Sequence, residues 1–258
     1  MPIAGVNGYN MNYAFTGQGD PLVLIMGLGN GQQTWRFNIP AFKKYYRVIT
    51  FDNRGVGNSG EGPSSVRQMA DDTVGLMDHL GIEKAHILGV SLGGTIAQEM
   101  AINYPNRVDK LILGSTCACH DESNGFTPEF AKAMETFIHT RKAPSVKLIV
   151  NKWPYQILSF FLMNRQYNRM NDTGRAGFAA QWKAGGKHNT LNQLSRIKAP
   201  TLVITGTGDK AIRSSSSDTL ARLIPNAKLT KIENGSHGLF IEMRGRFNRE
   251  VLDFLKSS

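Results

Sequence analysis

The stretch HILGVSLGG, residues His86 to Gly94, sets one serine and three glycines behind a short apolar run. Ser91 is either a nucleophile held on a sharp turn or a small residue in a glycine-rich connection. The flanks decide between these readings. Ala85 to Ser91 has the composition of a buried strand, and the stretch Gly93 to Pro105 reads as a helix that stops before its proline. A serine at such a strand-to-helix turn has unusual backbone angles, so its neighbours must lack side chains to avoid clashes. The turn displays the hydroxyl at the carboxyl edge of a sheet. The helix that follows aims its first N–H groups at the same space, which favours negative charge developing there. The bare G-x-S-x-G spacing carries little information. Strand, helix and the additional Gly94 turn it into a nucleophile pattern.

Working outward, apolar runs recur at Pro21–Gly27, Tyr46–Gly55, Val108–Thr116, Thr201–Asp209 and Ala227–His237. Several are nearly continuous Val, Ile and Leu, as in strands covered on both faces. Helical patterns lie between them. Ser65–Gly81 places Val66, Met69, Val74, Met77 and Leu80 near helical spacing, with Gly81 as a C-cap. The alternation predicts an α/β fold with a mostly parallel, doubly wound sheet. One interval breaks the rhythm. From Cys119 to Lys198 about eighty residues pass without a strand-like run, too many for a structureless loop in a compact domain. Thr127-Pro128 opens a helical stretch there, and Val146–Val150, Ile157–Met163 and Ala176–Trp182 also have helical spacing. The chain therefore divides into a core of residues 1–118 and 199–258 and a helical insertion of residues 119–198.

A serine hydroxyl is a poor nucleophile without a base. The six histidines are His79, His86, His120, His139, His188 and His237. His237, in NGSHGLF, follows the last strand-like run between glycines, which puts it on a loop at the serine's sheet edge. His120, at the mouth of the insertion, is its rival. His79 lies late in a helix and His86 starts a strand. Asp209 ends TLVITGTGD at a strand's carboxyl end and is the candidate to orient the imidazole. Asp121 and Glu122 are the alternative acids, whereas Asp218 lies inside a helical run and faces solvent. The chain order Ser91, Asp209, His237 is the nucleophile–acid–base order of one known triad arrangement.

The bulk composition limits the function classes. Hydrophobic residues make up 41% and charged residues 19%, which predicts a sizeable core and excludes global disorder. Thirty Lys+Arg against twenty Asp+Glu give a net charge of +10, suited to acidic ligands or to solubility alone. There is no long basic run and no nucleic-acid motif, so nucleic acid is not an expected partner. MPIAGVNGYN lacks the basic and apolar regions of a signal peptide, and Ile157–Met163 is far too short to span a bilayer. A cytoplasmic location and no membrane partner are expected. Cys117 and Cys119 would face the same side of a strand, where bridging them is strained. They read as buried free thiols of a reducing compartment. No metal ligand set and no cofactor motif is present; Gly27, Gly29 and Gly31 lack the spacing of a dinucleotide loop.

MGLGN (Met26–Asn30), FDNRGVGNS (Phe51–Ser59), GVSLGG (Gly89–Gly94), PTLVITGTGD and GSHGLF together resemble the α/β-hydrolase superfamily, of the kind that carries a helical cap. The likeness runs over nearly the whole chain. It is similar in particular to small carboxylesterases, enol-lactonases and cofactor-free haloperoxidase-like enzymes. Met26-Gly27 stands where the family usually has His-Gly. The resemblance implies that the insertion is a cap over Ser91 and that the backbone N–H groups of Leu28 and Leu92 form an oxyanion hole. It also implies that Asp52 and Arg54 are structural. Relatives that dehalogenate or open epoxides use aspartate where Ser91 stands, so those activities are excluded.

The expected activity is a cofactor-free, metal-free serine hydrolase of small carboxylic esters or lactones. Enol-lactone, carbon–carbon or thioester cleavage and perhydrolysis are alternatives within the enzyme class. A non-catalytic ligand receptor on the same fold is the alternative outside it.

Overall fold

The computed structural model describes residues 2–57, 59, 62–121, 123–157 and 170–257. Glu122 and the central cap residues Phe160, Phe161, Met163 and Tyr167, on which part of the sequence reading falls, lie outside the described residues, as does most of Ile157–Met163.

The strands are β1 (Ile3–Val6), β2 (Tyr9–Thr16), β3 (Pro21–Ile25), β4 (Arg47–Phe51), β5 (Ala85–Val90), β6 (Val108–Gly114), β7 (Thr201–Gly206) and β8 (Ala227–Ile232). They form one sheet in the order β1-β2-β4-β3-β5-β6-β7-β8. Pairing is antiparallel from β1 through β2 to β4 and parallel from β4 to β8. The N-terminal hairpin departs from the sequence reading, which began the sheet at Pro21. Its turn is Asn7-Gly8, both with positive φ, closing a two-residue loop between Val6 and Tyr9. Asn-Gly favours that geometry, so the signal was present in the chain.

Side chains alternate across the sheet and bury against helices on both faces. One face of the core joins Ile87 and Val203 to Val74, Met77, Ile96, Met100 and Leu220. The other joins Leu88, Val90, Leu202 and Ile204 to Trp35, Phe42, Phe247 and Val251. All six residues of β5 are buried, and each Ile, Leu or Val there contributes roughly 1.5–3 kcal/mol by leaving water. Helix α1 is Ile39–Phe42, α2 is Val66–His79 and α3 is Leu92–Asn103. Ser65 caps α2 by accepting from Gln68 N–H, and Gly81, at φ +63°, follows its end.

Between β6 and β7 lie α4 (Pro128–Thr140), a 3-10 turn at Val146–Leu148, helical residues 153–157 and α5 (Asp172–Gly186). Thr127 caps α4 by accepting from Phe130 N–H, and Pro128 supplies a first residue whose missing N–H costs nothing there. The remaining helices are α6 (Ser215–Leu223), α7 (Leu239–Glu242) and α8 (Arg244–Lys256). No helix among the described residues is long and apolar enough to cross a membrane.

The strands stop short of the apolar runs read from sequence. β3 ends at Ile25 rather than Gly27, β5 at Val90 rather than Ser91, β7 at Gly206 rather than Asp209, and β8 at Ile232 rather than His237. The surplus residues leave the sheet at its carboxyl edge and build loops there. Strand β3 lies between β4 and β5, so the chain leaves β3 towards one side of the sheet and β5 towards the other. A crevice opens at such a switch point, and it is where ligands bind in open α/β sheets.

Candidate active site

Ser91 sits in this crevice. Its backbone is at φ 53°, ψ −124°, a region that non-glycine residues avoid and that costs on the order of 1–3 kcal/mol. The strain falls on the serine itself. Gly89 and Gly93 serve a different purpose: a Cβ on Gly93 would lie 2.2 Å from Ile25 O, and one on Gly89 would lie 2.1 Å from Gly93 O. They let the turn press against β3. Ser91 N–H donates to Gly114 O at 2.8 Å, and Thr116 Oγ1 donates to Ser91 O at 2.7 Å. The strained turn is thus held from the β6 side.

The segment after β3 approaches the serine closely. A Cβ on Gly27 would sit 3.0 Å from Ser91 Cβ, tighter than ordinary contact, so glycine lets this backbone lie against the hydroxyl-bearing carbon without displacing it. Leu28 follows directly. Leu92 is the first residue of α3, so its N–H has no acceptor within the helix. The two leucines and Ser91 line a common pocket with Thr95, Thr116, Cys117, His120, Phe126, Phe130, Gln181, Trp182, Gly185 and Ile212. The pocket encloses about 390 Å³ including its open mouth. Met26, at the position of the usual histidine, is buried, and its carbonyl accepts from Asn53 Nδ2 at 2.9 Å.

His237 and Asp209 meet. His237 Nδ1 lies 2.9 Å from Asp209 Oδ2 and 3.2 Å from Oδ1. The Asp209 side chain is wholly buried, and its Oδ1 also accepts from Ala211 and Ile212 N–H at 2.8 and 3.0 Å. These bonds fix its orientation. The His237 loop is stitched in place by Ser236 Oγ donating to the buried Glu242, which also accepts from Asn151 N–H. Among the described residues, Ser91 Oγ makes no hydrogen bond to the His237 ring. Such bonds are often long before substrate binds. His237 borders the pocket through Phe130, at 6.1 Å between ring centroids.

His120 lines the pocket directly. Its Nδ1 accepts from Phe126 N–H at 3.3 Å, and its Nε2 lies 3.7 Å from Cys117 Sγ. The ring stacks on Phe126 at 4.0 Å, and Phe126 stacks in turn on Trp182 at 4.5 Å. Burial, reinforced by neighbouring His188, pulls its pKa down to about 4. The thiols are equally unreactive: burial drives Cys117 far above the ordinary cysteine range and pushes Cys119 up to about 11. Both cysteines are buried and free.

The other sequence candidates fall elsewhere. Asp121 accepts from Ser123 and Asn124 in an exposed turn, and Asp218 pairs with Lys231. Asp52 holds the loop after β3 by accepting from Gln32 N–H at 2.7 Å, and Arg54 forms a two-pronged bond with Asp72. Of the insertion's aromatics, Trp182 lines the pocket, Phe178 is buried and Trp153 is 71% exposed. Gln181, Glu242 and Asn53 were not singled out from the sequence, because each acts on backbone far away in the chain. No cluster of metal-ligating side chains occurs among the described residues.

Residues 20–243 match the family described as alpha/beta hydrolase fold, and the chain belongs to that family of hydrolases. It is 29% identical over 253 residues to 3-oxoadipate enol-lactonase 2 of Acinetobacter baylyi, covering 95% of this chain and 93% of that one. It is 28% identical over 250 residues to "Putative carbamate hydrolase RutD" of Caulobacter segnis, covering 92% and 91%. The crystal structure of the enol-lactonase from Burkholderia xenovorans LB400 superposes with a TM-score of 0.86 at 28% identity, over 99% of this chain and 100% of that one.

Proposed function

We propose that this hydrolase cleaves small carboxylic esters through an acyl-enzyme. Ser91 attacks the carbonyl carbon as its proton passes to His237 Nε2. Asp209 holds the His237 proton on Nδ1 and stabilises the imidazolium. The N–H groups of Leu28 and Leu92 receive the oxyanion, each worth roughly 2.7–4 kcal/mol to the transition state. His237 then returns its proton to the leaving alcohol and activates water, which releases the acid and restores Ser91. The observation that carries this reading is the strained Ser91 turn, opening into the pocket at the switch point of the sheet.

Residues 119–198 act in this reading as the cap, closing the pocket with Phe126, Phe130 and Trp182. The largely apolar walls of this pocket, narrowed by the aromatic rings of Phe126, Phe130 and Trp182, suit short acyl groups. Lactones form a second substrate class, favoured by the enol-lactonase relatives, because ring opening needs the same nucleophile and oxyanion donors. The test is a panel of esters, lactones and carbamates of graded length, with fluorophosphonate labelling located by mass spectrometry. One label at Ser91, and a fall in kcat on the order of 10⁴ or more in Ser91→Ala, is expected. Unchanged turnover in that variant removes the mechanism.

A further inference from the structure

Gln181 lies on α5, inside the pocket wall, with no exposed surface. Its Oε1 accepts from Gly29 N–H at 2.9 Å, and its Nε2 donates to Arg54 O at 2.8 Å. The residues it reaches lie on two separate loops at the carboxyl edge of the sheet. The first is a tight turn: Asn30 N–H donates to Gly27 O at 3.2 Å, and Gly29 has φ +66°. A positive φ at the third residue is what a type II turn requires.

The geometry of this turn bears on the oxyanion hole. Leu28 N–H belongs to the peptide whose carbonyl is Gly27 O, and a trans peptide points the two in opposite directions. The next peptide, Leu28–Gly29, is the centre of the turn and the unit that rotates when a turn changes type. Its N–H is held by Gln181, and its carbonyl accepts from Asn30 Nδ2 at 2.8 Å. On the other side, Asn53 holds Met26 O. The peptide that carries Leu28 N–H therefore stands between two clamped neighbours. Helix α5 also presses on the turn sterically, since a Cβ on Gly29 would meet the Phe178 ring at 2.4 Å.

We infer that Gln181 is a positioning residue that lets the β6–β7 insertion set the direction of the Leu28 N–H donor. The inference rests on the proposed role of Leu28. Loss of the amide removes the tether on the N–H side of the turn's central peptide, which can then tilt about its carbonyl bond to Asn30, and the donor meets the developing oxyanion off-line. Ground-state binding, which the pocket walls supply, changes little.

The experiment compares Gln181→Met, which keeps the length but neither hydrogen bond, with Gln181→Asn, which stays polar but is too short to reach Gly29. Both are assayed on a short ester and for the rate of Ser91 phosphonylation. The expected result is a fall in kcat and in labelling rate of about 10–100-fold with KM changed less than about threefold. Should Gln181→Met fail to fold, the same loss is expected in Gln181→Asn. A kcat within about threefold of wild type, or a rise in KM at constant kcat, overturns the inference and leaves Gln181 as pocket wall. A wild-type protein that neither turns over esters nor takes the label at Ser91 overturns the proposed function as well. An active, labelled wild type with unaffected variants overturns this inference alone.

Discussion

His237 and His120 stand on loops at the same edge of the sheet, one after β8 and the other after β6. His120 is the nearer to the apolar pocket, lining it beside Ser91. What separates the two loops is the group that each presents to Nδ1. His237 Nδ1 faces the carboxylate of Asp209, an acceptor, which keeps the ring proton on Nδ1 and leaves the Nε2 lone pair free. His120 Nδ1 faces Phe126 N–H, a donor, which puts the proton on Nε2. A ring in that tautomer has no lone pair left to take the serine proton. In the proposed mechanism it is the partner at Nδ1, rather than closeness to the pocket, that makes His237 and not His120 the base.

The largest expected effect comes from breaking the His237 side of this contrast. Asp209→Asn retains an oxygen for the Ala211 and Ile212 N–H groups but offers an amide to His237. Steady-state assays are expected to show kcat lowered by on the order of 10³–10⁴ with the melting temperature nearly unchanged. A loss under about tenfold would mean that Asp209 does not orient the base.

A smaller effect is expected on the other side. His120→Asn keeps an acceptor for Phe126 N–H and is expected to hold kcat within about fivefold. Its effect belongs to stability in acid. The native state refuses a proton at His120 until about pH 4, whereas the unfolded chain takes one up near about pH 6.5. The contribution of neutral His120 to stability is therefore complete above about pH 6.5 and declines as the pH falls towards about 4, by at most about 3 kcal/mol. Urea denaturation at neutral and acid pH should show a shallower acid loss in His120→Asn than in wild type. Parallel losses would remove His120 from the account of acid sensitivity.

The smallest effect sharpens the contrast between core and insertion. Residues 120–200 carry twelve Lys+Arg against five Asp+Glu, so about +7 of the chain's net charge of +10 belongs to the insertion, which the proposed function sets over the pocket. Capture of a carboxylate-bearing ester is expected to weaken as the Debye length falls from about 10 Å at 0.1 M salt to about 3 Å at 1 M. Measured kcat/KM for that ester should decline by a few-fold along the salt series while a matched neutral ester stays level. Parallel curves would make the basic surface a matter of solubility.

The parts of the site that the sequence displays are those in which a residue and its structural reason are neighbours in the chain. Ser91 is read from the strand before it, the helix after it and the glycines around it. Asp209 and His237 are read from the ends of two strand-like runs. The N-terminal hairpin left a local sign in Asn7-Gly8, but its strands mix polar and apolar residues and form no continuous apolar run. Gln181 left no sign at all. Its bond to Gly29 spans 152 positions and joins a helix to a turn, so only the assembled fold brings the two together. Glu242, which ties the His237 loop to Asn151, is hidden for the same reason. The strand ends were misplaced by one to five residues because the apolar runs pass directly into the turn residues that follow them, such as Thr207–Asp209 and Glu233–His237, with no proline or charge run to mark where pairing stops.

The central claim is that His237, and not His120, activates Ser91. It is tested most directly by the rate at which a fluorophosphonate labels Ser91 in wild type, His237→Ala and His120→Asn at neutral pH. The account predicts labelling at nearly the wild-type rate in His120→Asn and a loss on the order of 10³-fold or more in His237→Ala. Rapid labelling of His237→Ala, with labelling abolished in His120→Asn, would contradict it.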